Sequence, residues 1–129
     1  MRLKKLVTIL TLLVIVLAAT SFALSETWWD QVEVDGELYR ASGSVNNSRG
    51  TFADTSTAYV QAETPSHLRV EVAHSHEGGT SWNEDFTNND TSLSVSETVW
   101  WYRGISSNGW HHASIASVYS LNGVTHKDF

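Results

Sequence analysis

The chain has 129 residues, no cysteine, and eight lysine and arginine residues against fourteen carboxylates, a formal net charge of −6 at pH 7. This length is typical of one domain. An acidic surface repels phosphate backbones, which argues against a nucleic-acid partner and against adsorption to anionic lipid by charge alone. The missing cysteines exclude disulfides and a lipid-modified cysteine, so the fold must rely on packing.

The N-terminus predicts export. A basic start, Arg2 to Lys5, is followed by a nearly uniform aliphatic run over 6–19 and by Ser21-Phe22-Ala23, which offers small residues at a cleavage point. This is the pattern of a signal peptide, and the apolar run is short for a membrane-spanning helix; an uncleaved anchor is the alternative. We predict a signal peptide at 1–23 and a secreted domain at 24–129, with no stable membrane insertion after cleavage.

The domain left after cleavage would be strongly acidic. It keeps five cationic side chains against all fourteen carboxylates, a formal charge of −9. An exported domain without cysteine and a basic start of this kind are typical of a bacterial protein.

The secreted part alternates apolar and polar residues throughout. Val32 and Val34 precede Asp35-Gly36, a dipeptide that favours a tight hairpin turn. The clearest period of two lies over 67–76, where Leu68 and two valines share one face.

Turn and loop signals divide the rest of the chain. Pro65 is predicted to end the strand that begins near Thr57, and the polar stretch 83–90 and the glycine-bearing stretch 104–109 are predicted to be loops. Asn122-Gly123 is predicted to form a second tight hairpin.

These patterns indicate the fold class. No segment after the signal peptide shows a sustained 3.6-residue apolar period, and seven or eight short strands are separated by turn signals. We predict a single all-β domain, a small antiparallel β-sandwich, with a small barrel as the alternative. Strands near the two chain ends, 28–34 and 124–129, leave edge pairing into a homo-oligomer open.

Tryptophan is unusually abundant, with six residues in the chain, four of them in adjacent pairs. Neighbouring residues on a strand point to opposite faces, so at least one ring of each pair is expected to face outward. Exposed aromatic rings stack on sugars or anchor protein interfaces; rings that wrap the ends of the core are the alternative. The candidate ligand-binding residues are Trp28, Trp29, Trp100, Trp101, Tyr102 and Trp110, and Trp82 would extend this surface.

Histidines suggest a metal site. His74 and His76 are two apart on a predicted strand and share a face. With His112, or its neighbour His111, they would supply three nitrogen ligands for zinc. Solvated imidazoles are the alternative, and otherwise no cofactor is predicted.

Catalysis has little support in the sequence. It contains no G-x-S-x-G motif and no cysteine nucleophile. The acidic stretch 83–90 lacks the order of an EF-hand loop. We therefore predict that the protein is not an enzyme.

One stretch resembles a known family. Tyr102-Arg103-Gly104-Ile105-Ser106-Ser107, followed by Trp110-His111-His112-Ala113-Ser114, is similar to the Tyr/Gly/Ser and His-Ser-Ala elements of lactococcin 972-type bacteriocins. Proteins of that family are small, exported, free of cysteine, β-rich and aromatic. The resemblance implies a secreted antagonist whose target is a competitor's envelope.

The function predicted from the sequence is therefore binding. We expect an exported acidic β-domain that recognises a cell-envelope glycan or a surface protein through aromatic side chains. The bacteriocin-like antagonist and the histidine metal site are the two alternatives.

Overall fold

A computed structural model describes residues 25–129, so the predicted signal peptide lies outside the described residues. Six antiparallel strands form one sheet: β1 (Thr27–Val34), β2 (Glu37–Arg49), β3 (Ala53–His76), β4 (Gly79–Trp100), β5 (Gly104–Ile115) and β6 (Tyr119–Asp128). Within this part of the chain no helix is long and apolar enough to cross a membrane. The predicted all-β antiparallel class is confirmed.

The sheet folds over on itself to make two layers. The first half of β3 pairs with β2 on one side, its second half pairs with β5 on that same side, and β4 follows β3 along the other. β2 packs against β5 and β6, and β1 packs against β6. The N–H of His126 also donates to the carbonyl of Ser25, which brings the two ends of the sheet together. The result is a sandwich nearly closed into a barrel.

Two bent strands explain why six strands replace the seven or eight expected. The pairing of β3 with β4 is irregular between Gln61 and Leu68, where the chain passes from one layer to the other. Pro65 was predicted to end a strand, yet β3 runs through it. Proline is tolerated there because residues 63–65 have no ladder partner. Counted by layer, β3 and β4 each supply two segments.

Three other local predictions are wrong. Residues 83–90 lie in β4 and not in a loop. β4 is an edge strand whose two faces both meet solvent there, so its polar residues do not indicate a loop. Residues 104–109 lie in β5, and Asn122-Gly123 lies inside β6. The hairpin between β5 and β6 is instead turned by Ala116 and Ser117, both with positive φ, whereas the predicted turn at Asp35-Gly36 is confirmed.

Small aliphatic residues fill the space between the layers. The buried apolar side chains come from β2 to β6 and are mostly alanine and valine, with Leu68, Ile115 and Leu121 the largest. Such small side chains allow the two layers to approach closely.

Glycines on inward-facing positions admit the larger rings. A Cβ atom at Gly43 would touch the imidazole of His111, and one at Gly123 would overlap the indole of Trp28. Those two rings stack with their planes 10° apart and their centroids 6.1 Å apart. Gly123 therefore stands in β6 because Trp28 occupies the space a side chain would need.

The interior is polar at the end where β2 meets β3. Asp54, fully buried, accepts a 2.7 Å hydrogen bond from the N–H of Gly104 and lies 3.3 Å from the guanidinium of Arg49 and 3.5 Å from that of Arg103. Burial by itself would raise the pKa of Asp54, but the Gly104 N–H and the two guanidinium groups outweigh it and lower that pKa overall. Asp54 therefore ties the β2–β3 connection to the start of β5.

Candidate functional site

A groove of about 620 Å³ crosses the outer face of the second layer. It runs over the second half of β3, the middle of β5 and the middle of β6. The residues that line it are His67, Arg69, Glu71, Trp110, His111, His112, Asn122, Gly123 and Val124.

Strand register brings the main side chains together. Glu71 of β3 pairs with Trp110 of β5, which pairs with Val124 of β6. Directly paired residues of antiparallel strands share a face, so these three side chains form one row across the sheet. The adjacent row is Arg69, His112 and Asn122.

Trp110 provides the apolar surface of the groove. Its side chain is 40% exposed, although its strand lies in the interior of the sheet. His111, the next residue, is buried on the other face, where its Nε2 lies 2.7 Å from the hydroxyl of Thr125. Because neighbouring residues of β5 point to opposite faces, the His111 ring lies in the interior and the Trp110 ring lies on the outer surface.

The polar groups around Trp110 are held by neighbours. His112 Nδ1 lies 2.7 Å from the Asn122 side-chain oxygen, and His67 Nδ1 lies 2.9 Å from that of Asn88. Because an amide oxygen only accepts, both Nδ1 atoms donate. The guanidinium of Arg69 donates to Glu84 at 2.6 Å.

Two kinds of acceptor remain for a ligand. With Nδ1 as the donor, the Nε2 atoms of His67 and His112 are the remaining acceptors, and neither has a hydrogen bond within residues 25–129. The Glu71 carboxylate likewise accepts no side-chain hydrogen bond from that part of the chain. The groove thus combines an aromatic face with acceptors in fixed positions.

The other predicted ligand-binding aromatics lie elsewhere. Trp28 is half-buried between the layers, against His111 and Gly123. Trp29 is 60% exposed on the outer face of the first layer, with the Arg40 guanidinium 4.7 Å from its ring centroid. Trp100, Trp101 and Tyr102 lie together at one end of the sandwich. The six residues therefore do not form one surface, and Trp110 alone belongs to the groove.

Only two of the three predicted zinc ligands lie close together. His74 is buried between the layers, and its Nδ1 lies 2.8 Å from the hydroxyl of Ser56. The ring centroids of His74 and His76 are 5.7 Å apart. His112 faces outward on β5, five positions along from Ser107, the residue that pairs with His74. Among residues 25–129, no group of three or more histidine, cysteine or acidic side chains is arranged to hold a metal ion.

Sequence reasoning missed most of the groove. It gave no role to His67, Arg69 and Glu71, which alternate with the apolar residues over 67–76, and it assigned Asn122 and Gly123 to a turn. Their proximity to Trp110 depends on which strands pair with β5 and in what register. Only the outward alternation of 67, 69 and 71 was a usable signal.

Scans of protein-family models, curated proteins and solved structures find no match to this chain. The similarity of residues 102–114 to lactococcin 972-type bacteriocins therefore stays a prediction. The functional argument rests on the groove and on the exposed aromatic residues.

Proposed function

We propose that this protein is an exported, non-catalytic domain that binds a cell-envelope glycan in the groove over Trp110. The observation that carries the proposal is an exposed indole set in a groove of about 620 Å³ between fixed polar side chains. The signal-peptide pattern of residues 1–23 supports export.

Stacking on Trp110 accounts for the apolar part of recognition. A pyranose ring has a face of C–H groups, which packs against the flat face of an indole. Because the Trp110 backbone lies in a strand paired on both sides, the position from which the ring projects is fixed, and little backbone freedom is lost on binding.

Hydrogen bonds account for the polar part. The Glu71 carboxylate and the free Nε2 atoms of His67 and His112 accept from sugar hydroxyls. The Asn122 side-chain amide, opposite His112 in the register, supplies a donor. A carboxylate beside a stacking ring suits a neutral or amino sugar better than an acidic one.

The shape of the site supports a chain-like ligand. It is a groove across three strands rather than an enclosed pocket, so a polymer can pass over Trp110 without its ends being buried. One stacked sugar binds weakly, and useful affinity then comes from several sites along a polymer.

The test is co-sedimentation of purified residues 24–129 with intact bacterial cells and isolated cell walls. We expect the protein to sediment with cell walls and the Trp110→Ala variant to lose about tenfold in affinity, because the stacking face is removed. Trp29→Ala is the matched control, since it deletes an equally large and more exposed ring on the opposite layer. Both variants should keep the unfolding temperature of the parent within a few degrees.

Three outcomes would count against the proposal. Failure to sediment with any wall preparation would remove it, and equal loss in both variants would place binding outside the groove. Killing of the cells that bind the protein, scored by counting survivors in the same tubes, would favour the antagonist instead.

A further inference from the structure

Four aromatic side chains cluster at the end of the sandwich away from the β3 bend. Phe52 belongs to the connection between β2 and β3, Trp100 ends β4, and Trp101 and Tyr102 belong to the connection between β4 and β5. All four are more than half exposed. We call this cluster the aromatic tip.

The tip is an ordered structure. The N–H of Trp101 donates to the carbonyl of Phe52 at 2.8 Å, and the two rings lie 5.3 Å apart. Tyr102 covers Gly78 in the β3–β4 turn, and its ring lies 5.4 Å from that of His76. Two connections and one turn are therefore joined through these aromatic residues.

The backbone at Trp101 is strained, and the side chain points outward. Its φ is +72°, a left-handed conformation that a bulky residue rarely adopts, and its side chain is 77% exposed. Strain of this kind persists only where the surroundings enforce it and is concentrated at functional positions. Within residues 25–129 the Trp101 ring is paired with the Phe52 ring, yet most of its surface stays in contact with solvent.

The charged side chains in contact with the tip's connections balance one another, although the domain is acidic. Arg49 and Arg103 face Asp54, and the Glu77 side chain accepts from the N–H of Arg103. These two positive and two negative groups compensate, and Asp128, opposite Ser106 in the register, lies beside them on β6. The excess of nine carboxylates lies on the rest of the secreted domain.

We propose that the aromatic tip seats in the interfacial region of a phospholipid bilayer with zwitterionic headgroups. Tryptophan and tyrosine favour this region because each combines an apolar body with a polar group that stays hydrated. A neutral tip on an acidic domain fits a surface without net charge, since anionic lipid would repel the remainder. Only side chains enter the interface, and no strand crosses it.

The tip and the groove are separate sites. Trp110 lies six residues along β5 from Gly104, about 20 Å at the rise of a strand. A domain seated by its tip would hold its groove beside the membrane surface, facing sideways. Vesicle binding and glycan binding are therefore expected to fail in different variants.

The experiment is co-sedimentation of residues 24–129 with phosphatidylcholine vesicles, followed by tryptophan emission. We expect binding with a blue shift, and about a tenfold loss of partitioning for Trp101→Ala or Phe52→Ala, because each deletes a ring that leaves water. Trp101→Phe should retain most of the binding. Trp29→Ala and Trp110→Ala are the controls and should bind as the parent does.

Varying the salt concentration and the lipid charge provides a second test of the proposal. Binding should be nearly independent of salt and should weaken when phosphatidylglycerol is added. Absence of binding to phosphatidylcholine would overturn the proposal, as would binding that requires anionic lipid. Self-association of the parent that Trp101→Ala abolishes, without vesicle binding, would reassign the tip to contact between copies.

Discussion

His111 shows how one buried residue couples folding to pH. Its imidazole lies between the layers, and burial lowers its pKa from 6.5 to about 4, a shift that the backbone carbonyl of Tyr59 opposes only in part. Burial, with a smaller contribution from His76, also lowers the pKa of His74, which Asp54 opposes. Both rings are therefore neutral in the folded protein at neutral pH.

Stability should fall on acidification. Between pH 6.5 and 4 the unfolded chain binds a proton at position 111 that the folded protein excludes, so the free energy of unfolding decreases as the pH falls. We expect a loss of about 3 kcal/mol for His111 by the lower end of this window, measured by urea unfolding at several pH values. His111→Gln should reduce the slope and leave the part due to His74. An unchanged slope in this variant would contradict the assignment.

Turns and strands show where local sequence suffices and where it does not. Asp35-Gly36 and Asn122-Gly123 carry the same hairpin signal, yet only the first forms a turn. Gly123 serves packing, because Trp28 from β1 takes the space of its missing side chain. The true turn uses Ala116 and Ser117, which have no preference for positive φ, so no local rule identifies it.

The glycine and the indole form a testable pair. Gly123→Ala should destabilise the domain by about 1–3 kcal/mol, because the added methyl group overlaps the Trp28 ring and the layers must separate. Asn122→Ala, the preceding residue on the exposed face, is the control and should change stability by about 0.5 kcal/mol or less. Equal unfolding midpoints for Gly123→Ala and the parent would show that Trp28 does not lie against β6.

The sequence predicts the architecture of the whole molecule better than it predicts the binding surfaces. Alternation and the lack of helical periodicity are sufficient for an antiparallel all-β domain, but they leave sandwich and barrel as alternatives. The predicted number of strands is wrong because β3 continues through Pro65, and whether it does so depends on which strands pair with it at the bend. The aromatic candidates separate into an interior ring, a first-layer ring, the tip and the groove, and only tertiary pairing decides which is which.

Together the two proposed sites give the domain an orientation. The tip lies at the end where β3 both begins and ends, whereas the groove lies on the outer face of one layer. A protein exported past a membrane would then contact lipid through one end and glycan through one side.

The most direct test of the glycan proposal is a ¹H–¹⁵N spectrum of residues 24–129 titrated with soluble cell-wall saccharide fragments. Each of the six tryptophans gives an indole N–H resonance, so one experiment reports on the interior, the first layer, the tip, the groove and, through Trp82, the edge strand β4. We predict that the Trp110 resonance shifts with saturation while those of Trp28, Trp29 and Trp101 stay in place. Shifts confined to Trp100 and Trp101, or no shift at Trp110 when the fragments bind, would contradict it.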